Sequence, residues 1–190
     1  MKKAIILIII LSIVSCKNTN NNAINNEVIA FMIDKKALPL PPPPPINDNS
    51  TTVISEKVLD SLFKIKLKVA VYPTLNNLSE KEMKIIPKKY TTEFNLYNNS
   101  LNKITLNGLS SQKEHIITVA DTIEMKKSKE FQSFDLLFWF SNFYYSKDNQ
   151  KVLFSLGVSR SRLAGSSALY VLKKEKNTWV VEYYKNLEIW

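Results

Sequence analysis

Apolar and polar positions alternate most clearly in the last quarter of the chain, Phe138 to Trp190, which reads as four β-strands joined by three polar turns. Leu136 to Tyr145 is rich in large apolar and aromatic residues and ends at Ser146-Lys147-Asp148-Asn149-Gln150, where Asp and Asn favour a turn. From Lys151 the period is two, with Val152, Phe154, Leu156 and Val158 on one face and Ser155, Gly157 and Ser159 on the other. Ala168 to Leu172 is apolar at consecutive positions, as in a strand covered on both faces. After a turn at Lys173 to Asn177, Trp179, Val181 and Tyr183 share one side of the last strand, with Glu182 and Tyr184 on the other. Sequential strands with short turns make an antiparallel meander.

The pattern upstream is weaker. Ser55 is placed to cap a short helix through Phe63, and Ile65, Leu67, Val69 and Val71 then alternate with Lys64, Lys66, Lys68 and Ala70. That is a strand with one lysine-bearing face, ended by Pro73. Ser79 with Glu82 matches a capping box for another short helix, closed by Pro87. Asn107-Gly108 signals a turn and His115 to Val119 a strand. Asp121 with Glu124 opens a helix, Thr122 to Phe131, that would cover the sheet. The expected fold class is α+β, an antiparallel β-sheet with a C-terminal meander and a few short helices, in a single domain over 51–190.

The first fifty residues read differently. Lys2 and Lys3 precede about eleven mostly apolar residues, Ala4 to Val14. That run is too short for a bilayer core of roughly 30 Å but fits a signal peptide, here 1–15. It ends in Ile13-Val14-Ser15-Cys16, which resembles a bacterial lipobox, and Cys16 is the only cysteine. The resemblance implies lipidation of Cys16, and two acyl chains already hold a protein firmly to a membrane. Residues 16–50 read as a tether. Asn18 to Asn26 is too polar to order itself, and Val28 to Ile33 is an apolar interruption that docks as an edge strand or lies at the membrane. Pro39 and Pro41 to Pro45 form a stiff polyproline segment, 39–45, whose seven positions span roughly 20 Å; it reads as a spacer, with a ligand for an aromatic-lined groove as the alternative.

Charge and chemistry narrow the function only by exclusion. The chain carries +9, and loss of Lys2 and Lys3 leaves about +7, with lysines scattered between apolar positions as on a solvated face. No basic stripe points to nucleic acid, which is not an expected partner. The single histidine, His115, excludes a histidine-based metal cluster, and with Cys16 lipidated no thiol nucleophile remains. Gly108, Gly157 and Gly165 are the only glycines, so there is neither a nucleophile elbow nor a phosphate cradle. No cofactor or metal is called for. His115 with Asp121 and a serine is a combinatorial route to a hydrolase, while Glu182 and Glu188 are unremarkable carboxylates. Tyr144, Tyr145, Tyr183 and Tyr184 read as sheet formers before a binding platform.

One local feature carries a binding hypothesis. The only two arginines, Arg160 and Arg162, share the segment Ser159 to Ser167 with Gly165 and Ser166, read as the loop between two central strands. Guanidinium forks match carboxylate and phosphate oxygens, and the Ser166 hydroxyl adds a donor, so Arg160, Arg162 and Ser166 form a candidate anion site. The alternative is a polar hairpin loop with solvated arginines.

Phe143 to Asp148, Val152 to Ser155, Leu163-Ala164-Gly165, Leu169 to Lys174 and Trp179 together resemble the C-terminal pattern of small, uncharacterised flavobacterial-type (Bacteroidota) lipoproteins. Their shared features are a Ser-x-Asp turn, a glycine loop and a Tyr-x-x-Lys-Lys strand followed by tryptophan. This chain differs in having serines and arginines where cysteines and glycines often stand in the loop. Surface-exported members carry acidic residues soon after the cysteine, whereas Lys17-Asn18-Thr19 does not, which favours the periplasmic face of the outer membrane. The resemblance implies a lipid-anchored envelope protein with no stated activity. The expected role is non-catalytic binding or structure, with a membrane as one partner and an envelope protein or anionic glycan as another. The alternative is an envelope hydrolase using carboxylate and serine, or anion capture at the arginines.

Overall fold

The C-terminal strands are long because each alternates apolar residues without interruption. Those from Lys151–Ser161, Ala164–Glu175 and Thr178–Ile189 pair antiparallel in sequence order. The computed structural model describes residues 23–39, 56–96, 103–127, 133–161 and 163–190. Along it run α1 (23–36), α2 (Glu56–Phe63), β1 (Lys68–Val71), α3 (Glu80–Lys84), α4 (Lys88–Thr91), β2 (Ile116–Val119) and α5 (Thr122–Lys127). Then follow β3 (Leu136–Phe140), β4 (Tyr144–Tyr145) and the three long strands, β5, β6 and β7. Among the described residues they form a seven-stranded sheet of order β2-β1-β3-β5-β6-β7, with β4 pairing β5.

The class is α+β, as expected, but the sheet is mixed rather than antiparallel. β1 lies parallel to both β2 and β3. Parallel neighbours need a long crossover, and the helical segments α3 and α4, then α5, lie on the connections between them. Hydrophobic periodicity reports which face a side chain takes but not the direction of the neighbouring strand, so this half of the topology was invisible in the pattern.

The largest departure from expectation is α1. Val28 to Ile33 is neither an edge strand nor a membrane contact but the middle of a helix. Val28, Ile29, Met32, Ile33 and Ala37 are at most 1 % exposed, spaced as one face of a 3.6-residue repeat. They pack on the sheet face made by Phe138, Phe140, Val152, Phe154, Leu156, Tyr170 and Leu172. Val28, Ile29, Met32 and Ile33 each contribute about 1.5–3 kcal/mol on full burial, so 23–37 belongs to the folded body and not to a tether. Lys35 and Lys36 occupy the last turn, where cations complement the helix dipole. Asn26 Nδ2 donates to the Asn107 carbonyl (2.9 Å), Tyr145 Oη donates to Asn25 (2.7 Å), and Lys174 pairs with Glu27 (3.1 Å). These bonds fix the helix along the strands. The Cys16 segment and the prolines from 41 to 45 lie outside the described residues, as does Ser55.

The opposite sheet face carries Leu153, Leu169 and Val171 under Leu78, Ile86, Tyr90 and Phe94. The capping box is present in full: Ser79 Oγ accepts from the Glu82 amide, and Glu82 accepts from the Ser79 amide. α3 ends at Lys84 with Ile85 as its C-cap, and Pro87 caps the start of α4. Ala168 to Leu172 is buried on both faces, its odd and even positions entering different clusters. β1 starts at Lys68, later than the alternation implied, with Ile65 45 % exposed. Ala70 is not on a solvated face but packs with Ala120 and Leu137. A register shift between Val171 and Leu172 separates Tyr183 from Trp179 and Val181. Tyr183 meets Tyr90 on one side, while Tyr184 meets Tyr170 on the other, so the expected sharing of a side fails at the bulge. Tyr144 is buried in β4.

Candidate functional site

The segment Ser159 to Ser167 is not an open loop. β5 continues to Ser161 and β6 begins at Ala164, with a bulge that leaves Arg160 opposite no partner. Ser159 Oγ holds the bulge by donating to the Ser161 and Ala164 carbonyls. A bulge re-aims the side chain it releases. Arg160 reaches the C-terminal end of α1, where its Nη2 donates to the Leu38 carbonyl. Burial draws its pKa down, opposed by Asp135.

Where α1 stops, the sheet face it covers becomes a cavity of about 500 Å³. Leu156, Val158, Ala168 and Ile189 supply its apolar lining, Tyr170, Tyr184 and Trp190 its aromatic lining, and Lys36, Arg160 and Ser166 its polar groups. Lys36 Nζ lies 5.4 Å from the Tyr170 ring centre and 5.2 Å from that of Tyr184. The two rings are 5.2 Å apart at 47°. Burial, then the neighbouring Lys35, lowers the Lys36 pKa, and burial raises that of Tyr170. Gly165 exchanges two backbone hydrogen bonds with Trp190 and lies against its indole, which pins Trp190 beside the cavity. Of the three residues singled out in the sequence, Arg160 and Ser166 line this cavity, and Arg162 lies outside the described residues. Lys36, Tyr170 and Tyr184 were missed as a group; Tyr184 was read only as a sheet former, and Lys36 sat in the presumed tether.

His115 stands near a serine and a carboxylate, but Asp121 is not that carboxylate. Asp34, on α1, accepts from the Ser111 hydroxyl and from the amides of Gln112 (2.8 Å) and Lys113 (3.4 Å). Ser111 Oγ in turn accepts from the His115 amide (3.2 Å). The imidazole turns elsewhere: Nδ1 accepts from the Leu67 amide (3.2 Å), and the other side of the ring is buried towards the Ala37 carbonyl. A triad needs the imidazole between serine and carboxylate. Here the carboxylate holds the serine directly, so the cluster is a clamp between α1 and the 111–115 turn. Asp121 instead accepts from the Ile123 amide at the start of α5.

The carboxylates Glu182 and Glu188 serve separate ion pairs. Lys151 bridges Glu93 (2.9 Å) and Glu182 (3.2 Å), with Tyr90 Oη on Glu182, and Lys81 pairs with Glu188 (2.8 Å). A second cavity of about 750 Å³ lies between α1, the 107–112 turn and the β6–β7 turn, over Trp179. Among the described residues no group of three or more His, Cys, Asp or Glu side chains could hold a metal ion, and no helix is long and apolar enough to cross a membrane. No family model, curated protein sequence or solved structure matches this chain, so its function is argued from its residues and their arrangement.

Proposed function

We propose that this chain is a lipid-anchored protein of the cell envelope, attached through Cys16 and facing the periplasm, that acts by binding rather than by turnover. The observation that supports binding is the cavity at the end of α1. Two cationic side chains, a serine hydroxyl and three aromatic rings converge there, and no aspartate or glutamate side chain is among its lining residues. The Ser111, Asp34 and His115 cluster supports the same reading, because its hydrogen bonds hold a turn in place. An anionic partner suits this lining, since guanidinium and ammonium groups next to apolar walls attract negative charge more strongly than they do in open water.

Anchoring is tested by fatty-acid labelling of the full chain in a bacterial host with an outer membrane. Label on the protein and recovery in the membrane fraction are expected, both lost in Cys16→Ala. An unprocessed N-terminus, or unlabelled protein in the soluble fraction, would overturn the reading.

A further inference from the structure

The lining of the α1 cavity specifies more than a negative charge. Leu156, Val158, Ala168 and Ile189 can make no hydrogen bond through their side chains, and two tyrosine rings present faces rather than edges to Lys36. A hydroxyl-rich ligand would leave its groups unpaired against such walls, which costs roughly 1–3 kcal/mol for each. An apolar body would instead be covered by them. The cations come from α1 and from the bulge beside its end: Lys36 lies on the last turn of α1, and Arg160 is held by the carbonyl of Leu38, two residues further on. Both are pre-positioned by the fold, so little side-chain ordering remains for a ligand to supply. The volume of about 500 Å³ suits a small molecule and not a polymer surface.

We infer that this cavity binds a small organic anion with an aromatic or alkyl body, its carboxylate or phosphate lying between Lys36 and Arg160 and its apolar part over Leu156, Val158 and Ala168. The inference rests on the binding role proposed above and names its ligand class. Ser166, exposed at the rim, can donate to the anion.

The test is calorimetric titration of the full, processed chain in non-ionic detergent with phenyl phosphate, against inorganic phosphate and glucuronate. Saturable binding of phenyl phosphate is expected at millimolar concentration or below, at least about tenfold tighter than either comparator, a gap of about 1.4 kcal/mol. Lys36→Gln and Arg160→Gln should each weaken it about tenfold. Ser166→Phe, which keeps every charge and fills the cavity from its rim, should abolish it. Lys147→Gln, in the distant β4–β5 turn, should leave it unchanged. Thermal unfolding of each variant reports whether it is folded, and Ser166→Phe decides the matter if Arg160→Gln is not. Equal affinity for phosphate, tighter binding of glucuronate, or wild-type affinity in Ser166→Phe would overturn the ligand class, as would the absence of saturable binding. Fatty-acid label measured on the same preparation separates the two claims: labelled protein that fails to bind overturns only the ligand, whereas unlabelled protein that binds overturns only the anchor.

Discussion

A β-carbon at Gly157 would lie 1.9 Å from the Trp139 ring, closer than any real contact, and Trp139 in turn meets Trp190 at 5.7 Å between ring centres. Gly157→Ala must therefore displace an indole that lies over Gly157 and against Trp190, and we expect a loss of about 1–3 kcal/mol in urea unfolding. Gly165→Ala meets only the terminal Trp190 at 2.6 Å and should cost less. His115 gives a second residue-scale expectation. Burial lowers its pKa below the ordinary 6.5, with Lys113 acting the same way, while Asp34 and the Ala37 carbonyl oppose. The unfolded chain then takes up a proton that the folded chain resists. Stability should be fully present above about pH 6.5 and should fall as the pH drops from there towards the depressed folded value. His115→Asn should flatten that slope in urea midpoints measured between about pH 5 and 8, since no other side chain ordinarily titrates there. At this scale, local chemistry was legible. Ser79 with Glu82, and the Ser146 and Asp148 turn, are set by residues within three positions of one another. Lys36 over Tyr170 and Tyr184 was not, because those partners lie more than 130 positions away along the chain.

Elements were legible where one period ran unbroken. β5, the turn before it and the middle of β6 follow from alternation and from turn-forming residues, and even the two-sided burial of Ala168 to Leu172 could be read, whereas the ends of β5 and β6 run into the segment read as a loop. α1 could not. Its apolar core is six residues long, too short to separate helix from strand, and the asparagines before it have poor helix propensity. Packing overrides propensity here, because the sheet face between β1 and β6 needs a cover. Met32→Ala tests that cover. Met32 is fully buried, and its truncation should destabilise the full chain by about 2–5 kcal/mol, seen as a lower urea midpoint. A change below about 0.5 kcal/mol would mean that the helix is not docked. The bulges at Arg160 and between Val171 and Leu172 were equally unreadable, since an extra residue in one strand is defined only by its partner.

For the whole molecule, the place of α1 changes how the proposed anchor would hold the body. Only residues 17–22 separate Cys16 from the start of the described helix, a reach of at most about 25 Å when fully extended. The prolines from 41 to 45 follow α1 in the chain and lie outside the described residues. The cavity depends on the same helix, because Lys36 and the Leu38 carbonyl that holds Arg160 both come from its end. Hydrogen exchange on the full chain, resolved by residue, tests this directly. Amides from 29 to 37 should exchange as slowly as those of Phe154 and Tyr170 in the sheet beneath them, in one cooperative unit. Exchange of 29–37 at the rate of an unstructured chain while β5 and β6 stay protected would detach the helix, and with it the cavity, from the fold.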